Sequence, residues 1–337
     1  MSALAFELPA ALEARRPPPE RDGVKLLVAD GSSGTLKHHV FHELPDLLAP
    51  GDVVVVNVSA TLPAAIAARR TDGTPVRVHF STRVPRLDAS WRVVELRTAD
   101  GTAPARGHSG EALTLRGGAT LELVAPYLSE GRLMLARVHA PLEQYLEAHG
   151  EPIRYRYVDQ RWPLSEYQNV YATVPGSAEM PSAGRPFTPE LITRLVARGI
   201  AVTPITLHCG VSSPERHEPP FPEHYEIPDA TARLLAARSG RVIAVGTTVV
   251  RALETTGGAA GSGWTGLVVS PCTKRTAVDG LITGWHEPEA SHLQLLEAVA
   301  GASLLCDSYE AALERGYLWH EFGDSHLILN RTAPRAG

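Results

Sequence analysis

The chain has 337 residues, of which 44% are hydrophobic and 20% are charged. These values are typical of a soluble globular protein with a sizeable core, and the length favours two domains over one. The net charge of -5 gives no global attraction to nucleic acid, and no apolar run approaches the ~20 residues that a membrane span needs.

The first 61 residues predict the beginning of an α/β domain. Residues 1–22 are irregular and suit an extended arm that lies on a domain surface. Lys25–Asp30 is predicted as a strand, and residues 41–48 as a short helix that ends before Pro50 and Gly51. Residues 52–57 contain four consecutive valines, which predict a strand buried on both faces.

The pattern changes between residues 62 and 155. Short runs alternate between polar and apolar residues, with turns of Gly, Pro and Asp between them; the runs are 76–80, 91–96, 112–115, 120–124 and 132–138. Period-two alternation with frequent turns predicts an antiparallel sheet or a small barrel. We therefore interpret residues 62–155 as an inserted β domain, and residues 1–61 and 156–337 as the main α/β domain.

Helical and strand patterns alternate again after residue 155. The predicted helices cover residues 188–198, 229–238, 291–300 and 308–315. The predicted strands cover residues 200–207, 264–269 and 327–329. Residues 257–263 are rich in glycine and predict a flexible loop.

One stretch in this part, residues 241–255, has the composition of a ligand-binding turn. Val242–Val245 predicts a strand buried on both faces, and Gly246 permits a sharp turn. Thr247 and Thr248 are predicted to cap the helix that follows. Free N–H groups at such a helix start suit a carboxylate, a phosphate or ribose hydroxyls. The alternative is an ordinary strand-to-helix connection, since the glycine spacing of a dinucleotide or P-loop motif is missing.

A second stretch, residues 278–289, combines an aromatic ring, an imidazole and carboxylates. We predict that it is a loop rich in Pro and Gly, and loops beside a rigid sheet often carry function. His286 is the candidate general base or substrate-orienting group in this loop. The alternative is a surface loop with a solvated histidine.

Other histidines and the cysteines give weaker signals. His208 ends a predicted strand, a usual place for active-site residues in α/β sheets. The spacing of His208, His217 and His224 matches no metal motif, so no metal is expected. The three cysteines are widely spaced and indicate reduced thiols in a cytoplasmic protein. A nucleophilic pair of His208 and Cys209 is disfavoured, because neighbours on a strand point to opposite faces.

Motifs in a fixed order cover nearly the whole chain. They include Phe-Glu-Leu-Pro at 6–9, Pro-Gly-Asp-Val-Val-Val-Val-Asn at 50–57, Tyr-Gln-Asn-Val-Tyr at 167–171, Pro-Ser-Ala-Gly at 181–184 and Glu-His-Tyr-Glu-Ile-Pro at 223–228. The strongest are Val-Gly-Thr-Thr-Val-Val-Arg-Ala-Leu-Glu at 245–254, Val-Asp-Gly-Leu-Ile-Thr at 278–283 and Phe-Gly-Asp at 322–324. Together they resemble the S-adenosylmethionine:tRNA ribosyltransferase-isomerase family of queuosine synthesis.

The resemblance implies both a fold and a reaction. The fold is a larger, partly barrel-like α/β domain with an inserted small antiparallel β-barrel. The reaction transfers and isomerises the ribosyl moiety of S-adenosylmethionine onto 7-aminomethyl-7-deazaguanine in tRNA and forms epoxyqueuosine. S-adenosylmethionine is therefore expected as co-substrate and tRNA as partner. The sulfonium acidifies the neighbouring CH₂, so the enzyme needs a general base, groups that hold the ribose and a pocket for adenine.

The resemblance and the residue types together predict the site residues. Gly246, Thr247 and Thr248 are expected to hold ribose or the methionine carboxylate, and Arg251 to pair with a carboxylate or a structural acid. His286 is the leading candidate for the general base or orienting group. The remaining predicted polar groups are Asp279 and Glu223 beside the base, Asp324 at a ribose or an amine, and His208 at the co-substrate.

Several polar positions of the family motifs differ in this chain. Asn-Asn-Thr-Arg after the first buried strand is Asn-Val-Ser-Ala at 57–60, Leu-His-Phe is Arg-Pro-Phe at 185–187, and a glycine-rich segment is rewritten at 209–214. Two alternatives therefore stay open: a divergent relative that uses S-adenosylmethionine or a related nucleoside on a small molecule, and a non-catalytic ligand-binding descendant. The acidic charge balance weighs against tRNA, because phosphate contacts need a basic face.

Overall fold

A computed structural model describes residues 4, 6–128, 132–211, 220–273, 276–288, 290 and 292–330. A 3-10 turn at Ala10–Leu12 precedes the first regular elements. These are β1 (Lys25–Asp30), β2 (Thr35–Val40), α1 (Leu44–Leu47), β3 (Val53–Asn57) and β4 (Ser59–Thr61). All five residues of β3 are buried, as the valine run predicts.

Six strands then close into an antiparallel barrel. They are β5 (Ala65–Arg70), β6 (Pro75–Arg83), β7 (Trp91–Thr98), β8 (Ala112–Leu115), β9 (Thr120–Pro126) and β10 (Leu133–Val138). The order around the barrel is β10-β7-β6-β5-β8-β9. Alternate residues point inward, as in the exposed–buried–exposed–buried pattern of β8, and they fill a core of their own.

Helices and strands alternate in the rest of the chain. The helices are α2 (Leu142–His149), α3 (Pro189–Ala197), α4 (Asp229–Ala237), α5 (Thr247–Thr256), α6 (His292–Ala300) and α7 (Ala302–Glu314). The strands are β11 (Val174–Ser177), β12 (Ala201–Leu207), β13 (Glu223–Ile227), β14 (Val242–Val245), β15 (Gly261–Thr265), β16 (Gly280–Gly284) and β17 (Ser325–Leu329). Within the described residues, none of these helices has the length and apolar character that crossing a bilayer requires.

The main sheet has nine strands in the order β15-β13-β12-β3-β14-β16-β17-β1-β2. The four adjacent strands β12, β3, β14 and β16 are parallel to one another, so their carboxyl ends lie at one edge. β17 runs antiparallel to β16 and brings Ser325 opposite Gly284 at the same edge. Ligands of open α/β sheets bind outside the carboxyl ends of the strands, so this edge is the expected place for a site.

Both faces of the sheet are covered. Val242 and Ala244 of β14 belong to the core beneath α4, α5, α6 and α7. Ile243 and Val245, which alternate with them, belong to the core beneath α1 and α3. Full burial of each Val or Ile side chain contributes about 1.5–3 kcal/mol, which favours a strand without a solvent-exposed face.

The predicted fold class, α/β with a small antiparallel β-barrel, is confirmed. The barrel strands span residues 65–138, inside the predicted insertion 62–155. The division into domains at residues 61/62 and 155/156 stays a prediction.

Two local predictions were wrong. The strand predicted at 264–269 lies earlier, at Gly261–Thr265, and includes part of the glycine-rich stretch predicted as a loop. The reason is that β15 pairs with β13, while the carbonyls of Thr265 and Leu267 accept hydrogen bonds from Arg251. Residues 280–284, predicted as part of a loop, form β16 instead. Gly280 allows this close packing, since a Cβ there would lie 2.7 Å from Cδ1 of Ile243.

Candidate active site

A cavity of about 380 Å³ opens at the carboxyl ends of β14 and β16, beside the barrel. Its volume falls within the range of about 300–1,000 Å³ that is usual for small-molecule sites. The predicted site residues that line it are Gly246, Thr247, Thr248, Arg251, Glu223 and His286. The structure therefore brings together six of the nine predicted residues from three separate parts of the chain.

The turn between β14 and α5 forms the floor of this cavity. Gly246 is the N-cap of α5 with a φ of 96°, a conformation that L side chains rarely adopt, and its N–H donates to the Ile282 carbonyl at 2.8 Å. The prediction that Thr247 and Thr248 cap the helix through their hydroxyls was wrong, because Gly246 holds the cap position and makes no side-chain bond. The first N–H groups of α5 have no acceptor inside the helix, and they lie at the cavity.

Arg251 and Glu223 form a buried ion pair at the cavity wall. The Arg251 guanidinium also donates to the carbonyls of Phe221, Thr265 and Leu267 at 3.0–3.2 Å. The other oxygen of Glu223 accepts the Gly210 N–H at 2.8 Å. Arg251 thus ties α5 to the strands beside it, and its partner is a structural acid, one of the two roles that the sequence predicts.

His286 is half-buried, with its ring on the cavity side of β16. Its Nε2 lies 3.0 Å from the hydroxyl oxygen of Thr283, and its ring stacks on His292 at 4.7 Å. Burial, and then the neighbouring histidines His292, His320 and His326, lower the pKa of His286 well below its usual range. The ring is therefore neutral at physiological pH and can accept a proton or a hydrogen bond.

Three predicted residues lie outside the cavity lining. Asp279 precedes β16 at the opposite end of the sheet, where its side chain accepts the Val242 N–H at 2.9 Å. Asp324 is buried and accepts the N–H groups of Lys25 and Leu318, each at 2.7 Å. His208 follows β12 at the predicted edge, but its Nδ1 lies 2.8 Å from the Ser59 hydroxyl.

The sequence did not predict a further wall of the cavity, which Tyr157 forms together with His320 and Glu321 from the segment after α7. Tyr157 donates a hydrogen bond to the Glu321 carboxylate, and its ring stacks on His320 at 3.8 Å and 12°. Burial, with a smaller contribution from the negative charges of Glu179 and Glu287, raises the pKa of Glu321 to about 7 against the opposing effect of the Tyr157 hydrogen bond. Tyr157 and Glu321 are 164 positions apart, so the sequence carried no signal of their contact.

The barrel supplies another part of the cavity wall. Glu95 is 2% exposed; its oxygens lie 3.0 Å from Arg97, 3.2 Å from Arg132 and 3.6 Å from Nδ1 of His79. Burial alone would raise the pKa of Glu95, but these three neighbours hold it below its usual value. The carboxylate is therefore ionised inside a cluster of compensating charges.

The described residues contain no cluster of possible metal ligands. Within the described part of the chain, no three or more His, Cys, Asp or Glu side chains are arranged to hold a metal ion. His208 and His224 stack at 6.1 Å, whereas His217 and the rewritten positions 212–214 lie outside the described residues.

Comparisons with known proteins place the chain among enzymes of one pathway. A family model described as "Queuosine biosynthesis protein" matches residues 1–328. The chain is 36% identical over 343 residues to the S-adenosylmethionine:tRNA ribosyltransferase-isomerase of Moorella thermoacetica, which covers 96% of this chain and 98% of that one. The enzyme of the same name from Pelobacter propionicus is 33% identical over 341 residues, with 96% and 98% covered.

A solved structure shows the same architecture. The crystal structure of the S-adenosylmethionine tRNA ribosyltransferase from Thermotoga maritima matches with a TM-score of 0.55 and 27% sequence identity. The match covers 96% of this chain and 99% of that chain, so the sheet and the barrel are both included.

Proposed function

The chain belongs to the queuosine biosynthesis protein family, and we propose that it transfers and isomerises the ribosyl moiety of S-adenosylmethionine onto 7-aminomethyl-7-deazaguanine in tRNA, forming epoxyqueuosine. It is accordingly an S-adenosylmethionine-dependent transferase. One structural observation carries the assignment to a site: a cavity of about 380 Å³ joins the start of α5, His286 and a set of aromatic and acidic side chains. These are the groups that ribose, a sulfonium and adenine require.

The start of α5 is the proposed anchor for the polar part of S-adenosylmethionine. Gly246, Thr247 and Thr248 line the cavity, and the N–H groups of the two threonines, at the first turn of α5, have no acceptor inside the helix. Such a helix start suits the methionine carboxylate or the ribose hydroxyls. Tyr155 and Tyr157, whose rings lie 5.7 Å apart, offer apolar faces for the adenine.

His286 is the proposed general base or orienting group. In the first role, the C–H bond next to the sulfonium breaks, its electron pair stays on carbon, and the proton passes to the neutral imidazole. Thr283 holds the ring in position through the 3.0 Å contact with Nε2. Glu223 and Arg251 act as positioning residues, since both are committed to bonds within the fold. Asp279, Asp324 and His208 have structural partners outside the cavity, so no contact with substrate is proposed for them.

The inserted barrel is the proposed side for tRNA phosphates. Residues 62–155 contain twelve Arg against ten Asp and Glu, although the whole chain carries a net charge of -5. This local excess favours contact with phosphate over the acidic remainder. A cytoplasmic location, where tRNA is modified, follows as part of the same proposal.

The decisive test incubates the protein with S-adenosylmethionine and tRNA that carries the 7-aminomethyl-7-deazaguanine base. We expect adenine and methionine release together with a mass shift of the modified nucleoside. The matched control is the same tRNA with ordinary guanine, and raised salt is expected to weaken tRNA binding. An unchanged nucleoside mass would contradict the proposed function.

The role of His286 has a separate test. As general base it is expected to contribute about 10²- to 10⁴-fold to the rate of adenine release, which His286→Ala would lose. His139→Ala is the matched control, since His139 is exposed on the barrel. Equal release by His286→Ala and wild type rules out His286 as the base.

A small-molecule acceptor is the second candidate, because the carboxylates of Glu287 and Glu321 on the cavity wall repel phosphate. Adenine and methionine release without any tRNA would favour this alternative.

A further inference from the structure

We propose that Tyr157, Glu287, His320 and Glu321 form a binding subsite for an organic cation of the sulfonium or ammonium class. These four residues line one wall of the cavity. The inference rests on the proposed function, because that reaction brings two such cations to the cavity: the sulfonium of S-adenosylmethionine and the protonated amine of the acceptor base.

The subsite is built from a pair of stacked rings flanked by two carboxylates. The rings of Tyr157 and His320 lie nearly parallel, with centroids 3.8 Å apart. Glu321 accepts a hydrogen bond from the Tyr157 hydroxyl, and Oε1 of Glu287 lies 3.8 Å from Nδ1 of His320. Carboxylates beside aromatic rings are groups that recognise onium and ammonium ligands.

His320 provides independent support for a ligand at this wall. Its side chain is only 6% exposed, and among the described residues its Nε2 has no hydrogen-bond partner. An unsatisfied buried polar atom costs about 1–3 kcal/mol, so a native site retains it when a ligand or water completes the bond. His320 also has a φ of 74°, which is uncommon for a residue other than glycine and is concentrated at functional sites.

The charges at this wall leave a negative balance. Burial lowers the pKa of His320 to about 4, so its ring is neutral and does not compensate the carboxylates. The pKa of Glu287 is raised by burial and by Glu13, against the opposing effect of Arg156. Glu321 has a pKa of about 7, and a bound cation would favour its ionised form. Cation binding at neutral pH is therefore expected to release a proton.

The first arm of the test measures sulfonium recognition by isothermal titration calorimetry. Wild-type protein is titrated with S-adenosylmethionine and with S-adenosylhomocysteine, its neutral thioether counterpart. We expect S-adenosylmethionine to bind about tenfold more tightly than S-adenosylhomocysteine, and only its binding to release a proton. Glu321→Gln and Glu287→Gln are each expected to reduce that preference, and Glu314→Gln, an exposed residue of α7, is the matched control.

The second arm measures ammonium recognition with the free base. Here 7-aminomethyl-7-deazaguanine is compared with 7-methyl-7-deazaguanine, which lacks the amine. A charge preference in this arm alone assigns the subsite to the acceptor, and a preference in the first arm alone assigns it to the co-substrate. Either result supports the proposal when the Glu321→Gln and Glu287→Gln variants lose the preference.

The proposal is overturned if neither cation is preferred over its neutral counterpart, or if the preference persists in both variants. Thermal unfolding establishes that Glu321→Gln is folded, and Glu287→Gln gives a second test because its side chain is 54% exposed. Turnover with tRNA but no charge preference would overturn the subsite and leave the proposed function standing. Charge-selective binding without turnover would support the subsite and contradict the proposed function.

Discussion

Two glutamates that line the same cavity, the buried Glu95 and the half-buried Glu321, have opposite electrostatic environments. On the barrel wall, Glu95 is surrounded by Arg97, Arg132 and His79, which hold its pKa below the usual value despite burial. On the wall after α7, Glu321 has Tyr157 as its hydrogen-bond donor, and burial raises its pKa to about 7. Two arginines compensate the charge of Glu95 within the fold, whereas a neutral hydroxyl is the hydrogen-bond donor to Glu321.

This difference separates a structural polar cluster from a binding wall. A buried ion pair whose partners are all present holds elements together and has little left for a ligand. A buried carboxyl with a raised pKa stores unfavourable free energy that a cationic ligand can relieve. Four variants test the contrast, from the largest expected effect on stability to the smallest.

Glu95→Gln is expected to cost the most. The substitution leaves Arg97 and Arg132 without their carboxylate in the barrel wall, and breaking a buried pair typically costs about 3–5 kcal/mol. The free energy of unfolding in urea measures the loss. Glu122→Gln, an exposed glutamate of β9, is the control and should stay within about 0.5 kcal/mol of wild type. A cost as small as that of the control would show that the cluster contributes little.

Glu321→Gln is expected to change stability in the opposite direction. Because the folded-state pKa of Glu321 is about 7 against a usual 4.5, ionisation destabilises the folded state as pH rises from about 4.5 to about 7. The groups that face it are Tyr157, Tyr167, Glu179, Arg185 and Glu287. The Gln variant should gain about 1–3 kcal/mol over wild type across this interval and hold the gain above it. Urea unfolding from pH 4 to pH 8 measures it, and a pH-independent difference would contradict the raised pKa.

Tyr157→Phe is expected to have an intermediate effect. It removes the hydroxyl that donates to Glu321 and keeps the ring that stacks on His320. We expect a loss of about 1 kcal/mol and a further rise in the pKa of Glu321. Unfolding free energies give the first quantity, and NMR titration of the glutamate carboxyl gives the second. An unchanged pKa would show that the hydroxyl does not support the ionised carboxylate.

Glu287→Gln is expected to leave stability within about 0.5 kcal/mol, because the side chain is 54% exposed. Its effect should appear only in ligand selectivity, which distinguishes the binding wall from the structural cluster. A large loss of stability would place Glu287 with the structural residues instead.

The fold was largely predictable because each element carries a local pattern. The four valines of β3, the buried run of β14 and the alternation of β8 predict these strands without any tertiary information. The failures occurred where a tertiary contact decided the outcome. Arg251 donates hydrogen bonds to the carbonyls of Thr265 and Leu267, and β15 ends at Thr265.

The site was predictable only in part. Gly246, Thr247, Thr248 and His286 lie beside recognisable motifs, and all four line the cavity. Asp279 has an equally suitable side chain, but the direction of β16 places it at the opposite end of the sheet. Residue type identifies a group that can do chemistry, but strand direction decides which end of the sheet it occupies.

The sequence by itself determined the family, the α/β sheet, the inserted barrel and the turn at Gly246, because these depend on order, period and local backbone preference. Only the tertiary structure decided that Tyr157 donates a hydrogen bond to Glu321 and that Arg251 forms an ion pair with Glu223. It also decided that the pKa of Glu95 is lowered and that of Glu321 is raised. The physical reason is that burial and neighbouring charge set the pKa and the availability of a side chain, and both are properties of its surroundings in space.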